Sequence, residues 1–272
     1  MNVMKRIKMT QQQPLSSNAE VQSLIEVIRA RTPARILVGR AGPGYPTTTQ
    51  LDLRRDHAAA VDAVQAELDL DQSFQRDFVE RWRLFLVKTR AVDKQQYLMR
   101  PDLGRRLDDD AKKMVAERCP SAVDFQVIIG DGLSVAAIKI QVPSLLPLLR
   151  DAALGKGWSF GQPFCIRYCR VGILNEVGEL LKPVVAVLLI GERPGLGTAE
   201  SMSAYMAYRP QRGHTDAQRN LISNIHGGGV PCEEAAKRIV ALAEQMRQKE
   251  TSGVAVKEEL TKLEARHKAL PY

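Results

Sequence analysis

Residues 184–190 read VVAVLLI, seven apolar residues with no polar one among them. A strand wetted on one face alternates apolar and polar side chains, whereas a strand covered on both faces does not. The run therefore predicts a central strand of a sheet that carries helices on both sides. It breaks off in GERPGLG, a turn rich in glycine and proline at residues 191–197. In open α/β sheets ligands collect outside the carboxyl ends of the strands, which puts Glu192 and Arg193 at an expected ligand edge.

The surrounding sequence suits such a sheet. FQVIIGDGLSVAAIKI reads as strand, sharp turn and helix, with Asp131 between two glycines, and the helix continues through VPSLLPLLRDAALGKG. PFCIRYCRVGI reads as the next strand and PVVAVLLIG as the one after. SMSAYMAYRP follows as a strand, because Met202, Ala204, Met206 and Tyr208 alternate with more polar or small neighbours. RNLISNIHGGGVP is a strand ending in glycines, and CEEAAKRIVALAEQMRQKE a helix with Ala236, Ile239, Val240, Ala243 and Met246 on one face.

The first half of the chain has a different period. EVQSLIEVIRA places Val21, Leu24, Ile25 and Ile28 at helical spacing before Thr32 and Pro33 stop it, and a second, long helix begins near Thr48. Asp108, Asp109 and Asp110 open another helix, where carboxylates match the positive end of the helix dipole, a plainer account of three aspartates than a metal site. The expected fold class is α/β, with a Rossmann-like sheet in the C-terminal part and a helical N-terminal part. The expected organisation is a flexible basic and polar tail over 1–18, a helical part over 19–118, an α/β part over 119–252 and a charged extension over 253–272.

Composition removes several function classes. No apolar run approaches the roughly 18 residues of a membrane span, and the N-terminus lacks the apolar core of a secretory signal, so a cytoplasmic protein is expected. The formal net charge of +8 is concentrated: residues 1–40 carry seven basic and two acidic groups, while signs interleave afterwards. With aromatics at 5% and no basic stripe, no nucleic-acid partner is expected. The four cysteines are too scattered for a disulfide framework; Cys165 and Cys169, four apart in a presumed strand, are expected as buried thiols on one face.

Familiar catalytic motifs fail on context. GRAGPG lacks the GK[ST] ending of a phosphate loop. Gly195-x-Gly197 is separated from its strand by ERP, has Glu200 where a third small residue belongs, and precedes a strand rather than a helix, so it is no dinucleotide fingerprint. No GxSxG or HExxH occurs.

A resemblance accounts for that silence. VGRAGPGYPTTTQLDLRRDHAAAVDAV, YLMRPDLGRRL, VIIGDGLS, IRYCRVGI, LLIGERPGLGTAESMSAY and NLISNIHGGGVPCEEAA, in order over roughly residues 20–250, resemble the small (light, beta) subunit of ethanolamine ammonia-lyase, an adenosylcobalamin-dependent enzyme. The resemblance implies a large-subunit partner, a TIM barrel that holds ethanolamine and the catalytic residues. It also implies radical conversion of ethanolamine to acetaldehyde and ammonia, with this chain packed over the cobalamin and carrying no catalytic or metal-ligating residue of its own. Carried over by motif, the implied cofactor contacts are Val171 in RYCRVG, Glu192 in GERPG and Leu221 before ISNIH, where relatives have cysteine. Arg170 and Arg193 are further candidates for the phosphate of the nucleotide tail. Asn224-x-His226-x-x-Gly229 approaches the DxHxxG motif of another cobalamin class, but asparagine lacks the orienting carboxylate and His226 is expected as a loop residue. The resemblance also implies a bacterial microcompartment as an alternative location, since relatives are packaged there. The alternative is a structural, solubilising or localising partner of the large subunit without a cofactor role.

Overall fold

In the computed structural model, which describes residues 18–30, 36–195 and 197–258, the apolar run forms strand β4 (Val185–Gly191), every residue of which is buried. Each Leu, Ile or Val so enclosed contributes roughly 1.5–3 kcal/mol through removal from water. Its neighbours are β2 (Phe125–Gly130), which is parallel to it, and β5 (Met202–Tyr208), which is antiparallel. Beyond β2 come β3 (Phe164–Arg167) and the short edge strand β1 (Leu86–Lys88), both parallel; beyond β5 comes β6 (Asn220–Ile225), antiparallel. The sheet order is β1-β3-β2-β4-β5-β6.

Helices cover the sheet unevenly. α7 (Val135–Gly155) and α9 (Cys232–Lys249) pack on one face. α6 (Asp109–Arg118) and α8 (Ile173–Leu181) belong to the other. β5 shows the consequence of period 2: Met202, Ala204, Met206 and Tyr208 join the α7–α9 core, while Tyr205 and Ala207 join the α8 core. The α/β class and its Rossmann-like parallel centre are thus as expected, with an antiparallel hairpin added at one edge.

The helix starts follow local chemistry. Asp108 accepts the N–H of Ala111 at 2.7 Å and leaves Asp109 and Asp110 in the first turn of α6, the capping role expected of them. Ser134 does the same for α7 through Ala137 N–H at 3.1 Å. Among the described residues, no helix is long and apolar enough to cross a membrane.

Four details differ from the sequence reading. The mainly helical first half contributes β1, whose pairing with β3 makes it part of the sheet. A helix, α8, stands between β3 and β4 where none is expected, with Ile173, Leu174, Val177 and Leu181 on its buried face. β3 stops at Arg167, because Tyr168 takes the left-handed conformation (φ 62°). Cys165 and Cys169 therefore fall in opposite cores rather than on one face, although all four thiols are free and buried.

The described residues divide into two compact units, with the boundary between Gln50 and Leu51. In the first, α1 (Asn18–Ala30) is followed by a turn in which Ala41 and Gly44 exchange backbone hydrogen bonds of 2.9 and 3.3 Å. α2 (Thr47–Gln65) runs across the boundary. In the second, α3 (Leu70–Ser73), α4 (Arg76–Trp82) and α5 (Lys94–Met99) precede α6. The expected tail over 1–18 lies outside the described residues except for Asn18, and the expected extension over 253–272 is described as far as Glu258. Its first residues are tied to the body: Asn220 Nδ2 donates to the Val256 carbonyl at 2.7 Å, and Gly253, at φ +81°, sits so close to Ala217 that a Cβ would stand 1.8 Å from its carbonyl oxygen.

Candidate functional site

In a doubly wound sheet the ligand crevice opens where adjacent strands send their connections to opposite faces. Here that point lies between β2, which leads into α7, and β3, which leads into α8. The chain fills it with its own groups. Fully buried Asp131 accepts the N–H of Tyr168 and of Cys169, each at 2.8 Å. The Tyr97 hydroxyl stands 2.9 Å from the carbonyl oxygens of both Gly132 and Cys169, its one proton serving either. Lys94, also buried, approaches the Tyr97 ring at 5.2 Å, and its ammonium has no hydrogen-bond partner.

The electrostatics of this plug follow from its burial. Desolvation pushes the Asp131 carboxyl up, and the Lys94 charge and the N–H donors pull it back only in part. Desolvation likewise brings Lys94 down, partly offset by Asp131 and Glu67. Tyr97 is raised by burial and then by Asp131. The plug is a structural knot that fixes where the residues after Cys169 emerge.

Those residues emerge beside a cavity of about 840 Å³. α8 forms one wall, with Asn175, Glu176 and Glu179. Tyr205 on β5 and Leu221 on β6 belong to the lining as well, and at 45% exposure Leu221 is one of the more exposed large apolar residues of the chain. Val171 and Gly172, just before α8, the loop residues Arg105, Arg106 and Arg170, and the β5–β6 connection from Arg212 to Asp216 also line it. The cavity therefore runs along α8 and the β5–β6 hairpin, rather than in the crevice at the strand ends.

Two of the three candidate cofactor contacts, Val171 and Leu221, meet in this lining although 50 positions separate them. Glu192 is not among the lining residues. It follows β4 and is half-buried, and its carboxylate accepts Ser201 Oγ and Ser203 Oγ, each at 2.6 Å, and Asn224 N–H at 2.9 Å. Burial pushes this carboxyl up, but the Asn224, Ser201 and Ser203 donors and the nearby His226 outweigh it and hold it below the usual glutamate range. Ser203 and Tyr205 are two apart on β5 and share a strand face, so Glu192 ties together the carboxyl-side end of the surface that Tyr205 belongs to. Arg193 is exposed and does not line the cavity. His226 is a buried turn residue, with Nε2 2.8 Å from Asn224 Oδ1 and Nδ1 accepting Gly228 N–H at 3.1 Å.

Most of the charge in the cavity is paired. Glu176 lies 3.9 Å from Arg106 and 3.5 Å from Lys112, Glu179 lies 3.6 Å from Arg212, and Asp216 pairs with Arg219. The thiols offer no nucleophile: burial pushes Cys119 up to about 12 and raises Cys165 and Cys169 well above the ordinary thiol value, so all three stay protonated at neutral pH. Of the two arginines named from the sequence, Arg170 lines the cavity; sequence reasoning missed Tyr205, the other arginines on the loops around α8, and the Asp131–Tyr97–Lys94 plug. The alternation in MSAYMAY, which leaves Tyr205 opposite the Met face, was the signal for the first. The others depend on which loops meet in space.

Comparison with known proteins places these features in a family. Residues 22–257 match the family described as ethanolamine ammonia-lyase light chain (EutC). The chain is 41% identical over 239 residues to the ethanolamine ammonia-lyase small subunit of Clostridium perfringens, covering 88% of this chain and 79% of that one. It is 44% identical over 229 residues to the small subunit of Fusobacterium nucleatum (84% and 76% covered), and 38% identical over 230 residues to that of Clostridium acetobutylicum (85% and 93%).

Proposed function

The chain belongs to the ethanolamine ammonia-lyase light chain family, and from that premise we propose that it is the small subunit which completes an adenosylcobalamin site against a large-subunit partner, the partner holding ethanolamine and the catalytic residues. The observation that carries this reading is the meeting of Val171 and Leu221, contacts carried over from two separate motifs of the same resemblance, in one cavity.

The lining fits the group. A corrinoid has a broad apolar macrocycle fringed with amides and a phosphodiester on its nucleotide loop. Val171, Leu221 and the Tyr205 ring supply apolar surface, and arginines supply donors for an anion. Cavities of roughly 300–1,000 Å³ enclose drug-sized ligands, and cobalamin is much larger, so this chain would cover one part of it and leave the rest to the partner. When bound, adenosylcobalamin supplies the organic radical on which the ammonia-lyase reaction runs.

The chain's own contribution is to hold and shape. The Asp131 plug fixes the loop that presents Val171, α9 supports β5 and β6 from behind, and the buried thiols keep reactive sulfur out of the site. Glu192 contributes through Ser201, Ser203 and Asn224, which it locks in place, and through any acceptor capacity its carboxylate retains. Leucine at 221 replaces the relatives' sulfur with an apolar contact.

The test is cobalamin retention by the complex purified after co-expression with the large subunit. Val171→Asp and Leu221→Asp, which set a carboxylate against an apolar ligand, are expected to weaken retention of hydroxocobalamin at least 30-fold (about 2 kcal/mol) while the large subunit still co-purifies. Retention equal to wild type in both variants removes the cofactor role and leaves a purely structural subunit.

A further inference from the structure

Two loops beside the cavity interlock through a reciprocal pair of glycines and arginines. Arg170 donates its backbone N–H to the Gly104 carbonyl at 2.8 Å, and its side-chain stem lies over Gly104 so closely that a Cβ there would stand 2.7 Å from Arg170 Cγ. In the other direction the stem of Arg105 lies over Gly172, where a Cβ would stand 2.8 Å from Arg105 Cγ and 2.9 Å from its Cδ. Each arginine thus rests on the glycine beside the other, and a larger residue at either glycine would push a guanidinium away. Both arginines line the same cavity.

Among the described residues, these are the two lining arginines without a carboxylate partner. The acid beside Arg105, Asp102, is already held by Arg100 through contacts of 3.0 and 2.8 Å. Arg170 lies 4.3 Å above the Tyr97 ring, with one long hydrogen bond of 3.4 Å to the Tyr97 carbonyl, and its buried Nε has no partner. The contact with the ring restrains that guanidinium, and a restrained, incompletely bonded guanidinium fits the oxygens of a phosphate. Two cations in one lining, neither in an ion pair with a carboxylate, favour binding of an anion.

We propose that Arg105 and Arg170 form an anion subsite that takes the phosphodiester of the nucleotide loop of cobalamin. This rests on the cofactor reading above and assigns it an anchor that neither Val171 nor Leu221 can supply.

The experiment uses the complex of this chain with its large subunit and three probes: hydroxocobalamin; cobinamide, which has the macrocycle but lacks the nucleotide loop and its phosphodiester; and inorganic phosphate. Binding is read by the change in corrinoid absorbance and, for phosphate, by competition. Arg105→Gln, on an exposed side chain that folding tolerates, and Arg170→Gln are each expected to weaken hydroxocobalamin 10- to 100-fold and to leave cobinamide within twofold of wild type. Equal losses for both corrinoids, or none for either, overturn the assignment. Loss of phosphate binding with unchanged hydroxocobalamin affinity also overturns it, making the pair a site for free phosphate. A wild-type complex that binds neither corrinoid sinks the cofactor reading itself, a result distinct from failure of the arginine pair.

Discussion

The carboxylate of Asp131, at the end of β2, accepts the backbone N–H of Cys169, beyond the end of β3, at 2.8 Å. That bond and its companion to Tyr168 close the crevice that a Rossmann-like sheet ordinarily leaves open, and they hold Tyr168 in a left-handed conformation that costs a non-glycine residue about 1–2 kcal/mol.

Asp131→Asn is expected to destabilise the fold by roughly 3 kcal/mol, because asparagine accepts with one oxygen instead of two and leaves Lys94 as an uncompensated buried cation. Adding Lys94→Met should recover part of the loss. Urea unfolding of the two single variants and the double variant measures the coupling; a single Asp131→Asn variant within about 0.5 kcal/mol of wild type would show that the knot is dispensable.

The Glu192 carboxyl is held below its ordinary value, so it binds a proton less readily folded than unfolded. Its contribution to stability is therefore complete above the unfolded value and is lost as pH falls through the lower folded one. Glu192→Gln should flatten the acid limb of the stability profile while costing about 1–3 kcal/mol at neutral pH, where Ser201, Ser203 and Asn224 lose a charged acceptor. Thermal unfolding from pH 3 to pH 7 checks it, and an acid limb as steep as that of wild type would count against the assignment.

At Gly178, within α8, a Cβ would stand 1.8 Å from the carbonyl oxygen of Pro210. Alanine has the better helix propensity by about 1 kcal/mol, yet the clash is with backbone and should dominate. Gly178→Ala is expected to lower Tm and to move the connection that brings Arg212 and His214 to the cavity. A raised Tm would show that the connection yields freely.

All four cysteines are buried, and burial raises each thiol above its ordinary value. In the native protein at pH 8, none should react with an aromatic disulfide reagent within minutes, and four equivalents should react in denaturant. Rapid native labelling of Cys169 would indicate that the plug opens.

The sheet and the residues at its centre were legible because burial on both faces writes itself as an unbroken apolar run, and β5 because one-sided packing writes itself as alternation. α8 was not, although Ile173, Leu174, Val177 and Leu181 carry its spacing, since IRYCRVGI looked like a continuous strand. What ended that strand was the left-handed Tyr168, held by a carboxylate 37 positions away, and no local pattern announces that. Val171 and Leu221 were legible only through motif resemblance. Their common cavity, and the glycines on which Arg105 and Arg170 rest, depend on loops distant in sequence meeting in space.

β5 and β6 are backed by α9 on one side and line a cavity on the other. The shape of that exposed surface is therefore set during folding, when the conformational freedom of its backbone is given up. Ordering an interface side chain at the moment of association costs about 0.5–1.5 kcal/mol, and Tyr205 and Leu221 already stand on a supported strand pair. A body that settles there gains contact without first having to organise the floor beneath it, so the strength of association depends on how well the incoming surface fits.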